Sequence, residues 1–245
     1  MKTSVFVSVL MFSSLASAEI LSVHCPVGCP ESPAGNDMLF GHLYALSNNP
    51  DTKFADWVAY EVDVVNFGTS PGREWATDPL LDENETLEAK DYTGARNSDL
   101  EADRGHQAPL ASFAGSRYWP ELNYFSNITP QDKHLNQGPW KALEDAVRAG
   151  VSYGNSLYVM TGPLYDQNMP ALPKADEPHQ VPSGYFKLVY NLKGESAGFI
   201  MQQSAGRKDD FCASAVSFTK IQAQTPFELP ALKDSAVIAK RLGCQ

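Results

Sequence analysis

Apolar side chains fall at every second position from Val58 through Tyr60 and Val62 to Val64, and this period of two predicts a strand, with order beginning near Phe54. Residues 157 to 161, 185 to 190 and 197 to 202 predict further strands in the same way. Between residues 138 and 149 the period lengthens to that of a helix. Trp140, Leu143 and Val147 form an apolar stripe, Pro139 fits the first turn, where its missing N–H costs nothing, and Gly150 is placed to stop the helix. A second helix is expected over 230 to 242. Residues 19 to 51 are rich in Pro, Gly, Ser and Asn without a sustained period and predict an irregular arm. Pro163, Pro170, Pro173, Pro178 and Pro182 mark a long surface connection within one domain. Strands in runs with interspersed helices, and no regular βα alternation, predict an α+β fold, a layered antiparallel sheet with flanking helices.

The chain opens with Lys2, an apolar run from Val5 to Leu15 and the small residues Ala16-Ser17-Ala18, the three regions of a secretory signal cleaved after Ala18. The run is too short to span a bilayer, which takes about 20 apolar residues. The expected product is a secreted protein, extracellular or reached through a periplasm, with no membrane partner. Residues 19 to 245 are expected to form a single domain. A 43% hydrophobic and 11% aromatic composition is that of a chain able to build a core. Four cysteines in an exported chain predict two disulfides. Sequence alone allows three pairings, and Cys25 with Cys29 and Cys212 with Cys244 is the expected one; a four-thiolate zinc site is the competing reading, disfavoured because the later pair lacks ligand spacing.

Charge narrows the chemistry. The formal net charge of −10 excludes a protein that gathers nucleic acid by bulk attraction. Its distribution is uneven: residues 73 to 103 hold ten acids and three basic residues, a solvated acidic face, whereas residues 104 to 148 hold five basic residues, four acids and two histidines. Within that second span Asp103-Arg104-Gly105-His106 is followed thirty residues on by Asn136-Gln137-Gly138, and then by Glu144 and Arg148, four apart and therefore neighbours on one helix face. An imidazole able to take a proton near neutral pH, oxygen ligands for a hard cation and guanidinium groups for phosphate charge are what metal-assisted phosphodiester hydrolysis requires. The same residues in isolation could be a turn, a helix cap at Asn136 and a surface ion pair.

DRGHQAPLASFAG (103 to 115) and LNYFSNITPQDKHLNQGPWKALEDAVR (122 to 148) resemble the Serratia-type DNA/RNA non-specific endonucleases, secreted nucleases of the ββα-metal, or His-Me finger, superfamily. TKFADWVAYEV (52 to 62), GREWATDP (72 to 79), DYTGA (91 to 95) and YVMTGPLY (158 to 165) extend the likeness over nearly all of the mature chain. The resemblance implies a ββα-metal active-site motif and cleavage of single- and double-stranded DNA and RNA to 5′-phosphorylated oligonucleotides. His106 is then the general base, with Arg73 and Glu144 beside it in catalysis. Asn136 is the direct ligand of Mg²⁺, for which Mn²⁺ could substitute, and Glu144 acts through metal-bound water. Arg104 and Arg148 contact substrate, Asp103 orients neighbouring groups, and Asn127 positions water or backbone near the metal. DNA and RNA are the expected partners, and relatives suggest a homodimer. The alternative from another class is a catalytically inactive exported nucleic-acid-binding protein on a nuclease scaffold, because a fold does not establish a function.

Overall fold

The computed structural model describes residues 19 to 245; the expected signal at 1 to 18 lies outside the described residues. A central sheet is built from β1 (Asp37–Phe40), β2 (Ala45–Asn49), β3 (Phe54–Val62), β6 (Leu157–Leu164), β7 (Gly184–Tyr190), β8 (Glu195–Gln202), β9 (Ala215–Val216) and β10 (Lys233–Asp234). They run in the order β1-β2-β3-β6-β7-β8-β10, with β9 also pairing β8. All these pairings are antiparallel except β8 with β10. A separate two-stranded ribbon joins β4 (Ala102–His106) to β5 (Ile128–Asp132), with His106 opposite Ile128. The helices are α1 (Lys133–Leu135), α2 (Lys141–Gly150), α3 (Phe218–Gln222) and α4 (Ala236–Arg241).

The alternation seen in the sequence separates two cores. Val58, Tyr60 and Val62 of β3 face one apolar layer, where Trp140, Leu143 and Val147 dock α2 against the sheet; Trp57 and Ala59 face the other, with Phe186, Leu188 and Tyr190 of β7. Both faces are covered, so all but one residue of β3 are buried. A third cluster, including Phe54, Leu87, Tyr92, Phe125 and Ile128, lies beneath the ribbon. The ribbon followed by α2 gives the strand–strand–helix unit on which the site stands.

Four sequence expectations need adjusting. Residues 19 to 51 hold β1 and β2, short strands whose polar Asn48 and Ser47 hide the alternation because both are buried and hydrogen-bonded. Val64 ends β3 early in a tight turn capped by Asp63. The regular helix starts at Lys141, because Gly138 has non-helical dihedrals (φ −114°, ψ −116°) and opens a widened turn over Asn136–Trp140; the terminal helix is shortened to α4 since Lys233 and Asp234 join the sheet. Both expected disulfides form, Cys25–Cys29 and Cys212–Cys244.

Candidate active site

Strand β4 carries Arg104 and His106 two residues apart, on the same face. Between them, a Cβ on Gly105 would lie 2.7 Å from the Gln131 Cβ on β5, so glycine lets the ribbon close. The imidazole Nε2 of His106 lies 3.1 Å from Asn123 Oδ1. An amide oxygen only accepts, so Nε2 carries the proton and Nδ1 is left as a free base. Burial lowers the His106 pKa to about 4, outweighing the Asn123 hydrogen bond, and the nearby Arg73 charge lowers it further. The ring is therefore neutral at pH 7. Asn123 is itself fully buried.

Asp103 organises the other side. Its Oδ2 accepts from Asn136 Nδ2 at 3.1 Å and from Gln137 Nε2 at 2.6 Å, while Oδ1 pairs with Arg96 at 3.0 Å. Fixing the Asn136 amide through its nitrogen leaves Asn136 Oδ1 with no protein partner among the described residues. Glu144, on α2, likewise has no hydrogen bond or ion pair among the described residues, and burial raises its pKa to about 7 against the pull of Lys187 and Arg148. Asn136, Glu144, His106, Arg73, Arg104 and Arg148 all line one cavity of about 190 Å³. That cavity adjoins a larger cleft of about 760 Å³, which shares Arg73, Arg104, Asn136, Gln137 and Lys141 and adds Trp75, Arg96 and Arg207. Six cationic side chains thus line the two cavities against two carboxylates, Asp103 and Glu144, a local reversal of the chain's overall charge.

The structure sharpens several expected roles. Arg104 sits among aromatic faces, its guanidinium carbon 5.3 Å from the Trp75 ring centre and 5.4 Å from that of Tyr92, and donates to Ala89 O at 3.0 Å. Arg148 pairs with Asp145 rather than Glu144. Asn127, expected to position water or backbone, is fully buried: its Oδ1 accepts from Ala108 N at 2.8 Å and its Nδ2 donates to Ala108 O and Leu122 O, so it holds the backbone after His106 and lines neither cavity, out of reach of substrate. Its amide is consumed by backbone partners, leaving nothing for substrate. Asn123, Gln137 and Trp75 belong to the site but were missed by sequence reasoning; only their position inside the matching segments pointed to them. Lys187 was also missed. It is buried at the strand centre, with Nζ 3.2 Å from Tyr60 Oη and 4.3 Å from the Trp140 ring centre, and burial lowers its pKa to about 8 against the attraction of Glu144. Separately, Glu88, Asp91, Asp176 and Glu177 place carboxylate oxygens within 4.8 Å of one another, a group that could hold a metal ion, but none of the four lines the cleft.

A family profile described as DNA/RNA non-specific endonuclease matches residues 22 to 234. The chain belongs to that family. A nuclease of Serratia marcescens is 42% identical over 224 residues, covering 88% of this chain and 84% of the relative. Human mitochondrial endonuclease G is 31% identical over 159 residues, covering 60% of this chain and 52% of that protein. A crystal structure of an EndoG/EndoGI complex, described as showing the mechanism of EndoG inhibition, superposes with a TM-score of 0.67 at 20% identity, over 83% of this chain and 88% of that one, and shows the shared fold. The protein is thus a hydrolytic endonuclease of non-specific type acting on DNA and RNA, and its α+β architecture is that of the ββα-metal nucleases.

Proposed function

We propose that this endonuclease is a secreted, Mg²⁺-dependent enzyme in which His106 is the general base and Asn136 and Glu144 hold the metal, Asn136 directly and Glu144 through water. One observation carries the reading: His106, Asn136 and Glu144 line a single small cavity, and neither Asn136 Oδ1 nor the Glu144 carboxylate has a protein partner among the described residues. An amide oxygen and a carboxylate are hard donors, and Mg²⁺ needs few of them because it keeps most of its water shell. Mn²⁺ fits the same donors. A bound divalent ion supplies positive charge against the phosphate and the departing oxygen.

The chain's own residues do the rest. His106 Nδ1 takes a proton from water as that water's oxygen bonds to phosphorus, and the bond to the 3′-oxygen breaks in line; that oxygen takes a proton from solvent to leave as a 3′-hydroxyl, with the phosphate left on the 5′ end. Asn123 keeps the imidazole in the tautomer that exposes Nδ1. Arg73 and Arg148 face the same cavity and are placed to balance charge on the phosphate oxygens, with Arg104 fixed beside them by its aromatic surround. Asp103 is a positioning residue that sets the Asn136 amide. No step uses a 2′-hydroxyl, which accords with cleavage of both DNA and RNA, single- or double-stranded.

Secretion accords with the leader pattern of residues 1 to 18 and with two disulfides, and residues 19 to 245 then form one nuclease domain. Whether it works as the homodimer that relatives suggest is read by sedimentation. Plasmid DNA and RNA incubated with the purified protein, with Mg²⁺ and then with EDTA, test the reading: digestion to 5′-phosphorylated fragments that EDTA stops is expected. Undiminished digestion after EDTA treatment overturns the metal assignment, and no digestion by the folded protein restores the binding-only alternative.

A further inference from the structure

The large cleft continues past the small cavity, and Arg207 and Trp75 line it without acting on the reacting atoms in the scheme above. Arg207 is exposed on the loop after β8 and forms no ion pair among the described residues, whereas Arg96 and Lys141 in the same cleft each pair with an aspartate. The loop is not loosely placed. Gln203 Nε2 donates to Pro130 O at 2.9 Å and to Pro182 O at 3.0 Å, and Gln203 Oε1 accepts from Asp132 N at 2.8 Å, tying the loop's start to the end of β5. At Arg207 itself the backbone presses on the active-site turn: a Cβ on Gly138 would lie 2.6 Å from Arg207 O and 2.8 Å from Arg207 Cα. The backbone of Arg207 is therefore held two residues from the metal-site Asn136, while its guanidinium has no ion-pair partner among the described residues.

Trp75 is the second residue. Its ring centre lies 5.3 Å from that of His106, at 33° between the planes, and the ring is half-buried in the wall of the cleft. Among the other tryptophans, Trp57 and Trp140 are buried in the cores and Trp119 lines neither cavity.

We propose that Arg207 and Trp75 form a nucleotide subsite next to the scissile position, Arg207 gripping a flanking phosphate and Trp75 offering a face on which the adjoining base of a single strand stacks. The subsite rests on the nuclease reading above and extends it to the neighbouring nucleotide. Guanidinium is the group for this task, since it stays charged and can offer two N–H donors to one phosphate. Aromatic faces accept any base, as a non-specific enzyme requires.

Binding of a labelled single-stranded hexanucleotide to the mature chain in EDTA, across a sodium chloride series, tests it. Arg207→Ala should weaken binding about tenfold, the lower end for loss of a charged hydrogen bond. It should also reduce the slope of log affinity against log salt by about 0.7, the contribution of one phosphate on a single strand. Arg207→Lys should restore the slope, and Lys193→Ala, at the β7–β8 turn outside the cleft, should leave it at the wild-type value. The probe should quench tryptophan emission in wild type but not in Trp75→Phe. Unchanged affinity and slope in Arg207→Ala, or quenching that survives Trp75→Phe, overturns the subsite while the nuclease reading stands. A wild type that binds no hexanucleotide also overturns the subsite, whereas the nuclease reading stands or falls on the plasmid and RNA digestion described above.

Discussion

Asn123 Oδ1 accepts from His106 Nε2 and so leaves Nδ1 free; on the proposed mechanism this buried amide, which touches no substrate, governs whether the base is aimed at water. Asn123→Ala should lower kcat by about tenfold to a hundredfold, the usual cost of losing a partner that orients a functional group, with KM nearly unchanged. His106→Ala should remove roughly 10² to 10⁴ in rate in a chain whose circular dichroism is unaltered; a folded variant keeping half the activity would remove His106 from the mechanism. Asp103→Ala releases the Asn136 amide, so half-maximal activity should require several-fold more Mg²⁺, measured by titration of the ion.

The two titrating groups also act on stability with opposite signs. The His106 pKa is about 4 in the fold and about 6.5 when unfolded, so the unfolded chain binds more protons between those values and the fold loses stability as pH falls through that window. Glu144, at about 7 in the fold against about 4.5 unfolded, does the reverse and favours the fold as pH falls from 7 to 4.5. Their effects oppose one another in the wild type. Urea denaturation at pH 7 and pH 5 should show His106→Ala gaining stability relative to wild type on acidification and Glu144→Gln losing it. Parallel pH dependence in all three proteins would contradict both assignments.

At the scale of elements, the ribbon β4–β5 and helix α2 meet only because the turn between them is irregular. Gly138 allows the Arg207 loop to rest on this turn, and a side chain there must push backbone aside. Gly138→Ala should therefore cost more than the roughly 1 kcal/mol typical of a point substitution, and should disturb Mg²⁺ dependence through Asn136. The Cys212–Cys244 bridge ties α4 to the segment after β8. Its reduction should cost about 3 to 4 kcal/mol on the loop-entropy view of a closed loop of this length. Thermal melts with and without reductant measure this, and coincident melting curves would mean that the C-terminal tail is held by packing alone.

For the whole molecule, a net charge of −10 meets a polyanion through a cleft lined by six cations. Long-range repulsion is the more strongly screened, since the Debye length falls from about 10 Å at 0.1 M salt to about 3 Å at 1 M. Close arginine–phosphate contacts weaken as well, because less free energy is gained by releasing counterions into salty solution. The rate at low substrate should therefore pass through a maximum as sodium chloride is raised at fixed Mg²⁺, lying above physiological ionic strength. A monotonic fall from the lowest salt would mean that the cleft's own field outweighs the acidic face.

Strands β3, β6, β7 and β8, the helix with its Trp140, Leu143 and Val147 stripe and the contiguous segments that carry the candidate site were legible in the chain, because each depends on local periodicity or on a contiguous motif. By contrast, β1, β2 and the β4–β5 ribbon show no sustained period, and the choice among three cysteine pairings needed the fold. Sequence order alone placed His106, Asn136 and Glu144 within forty residues, and family likeness gave them roles. Tertiary structure decided what neither pattern could reach. It turned Asn127 inward to the backbone and put Asn123 on the imidazole; two asparagines four apart look alike until the folded chain supplies different partners. Packing brought Arg207, seventy-one residues beyond Asn136, against Gly138, and buried Lys187 within electrostatic reach of Glu144 although a lysine in a strand reads as exposed. Those outcomes depend on contacts between distant segments, and burial and proximity of that kind leave no period along the chain.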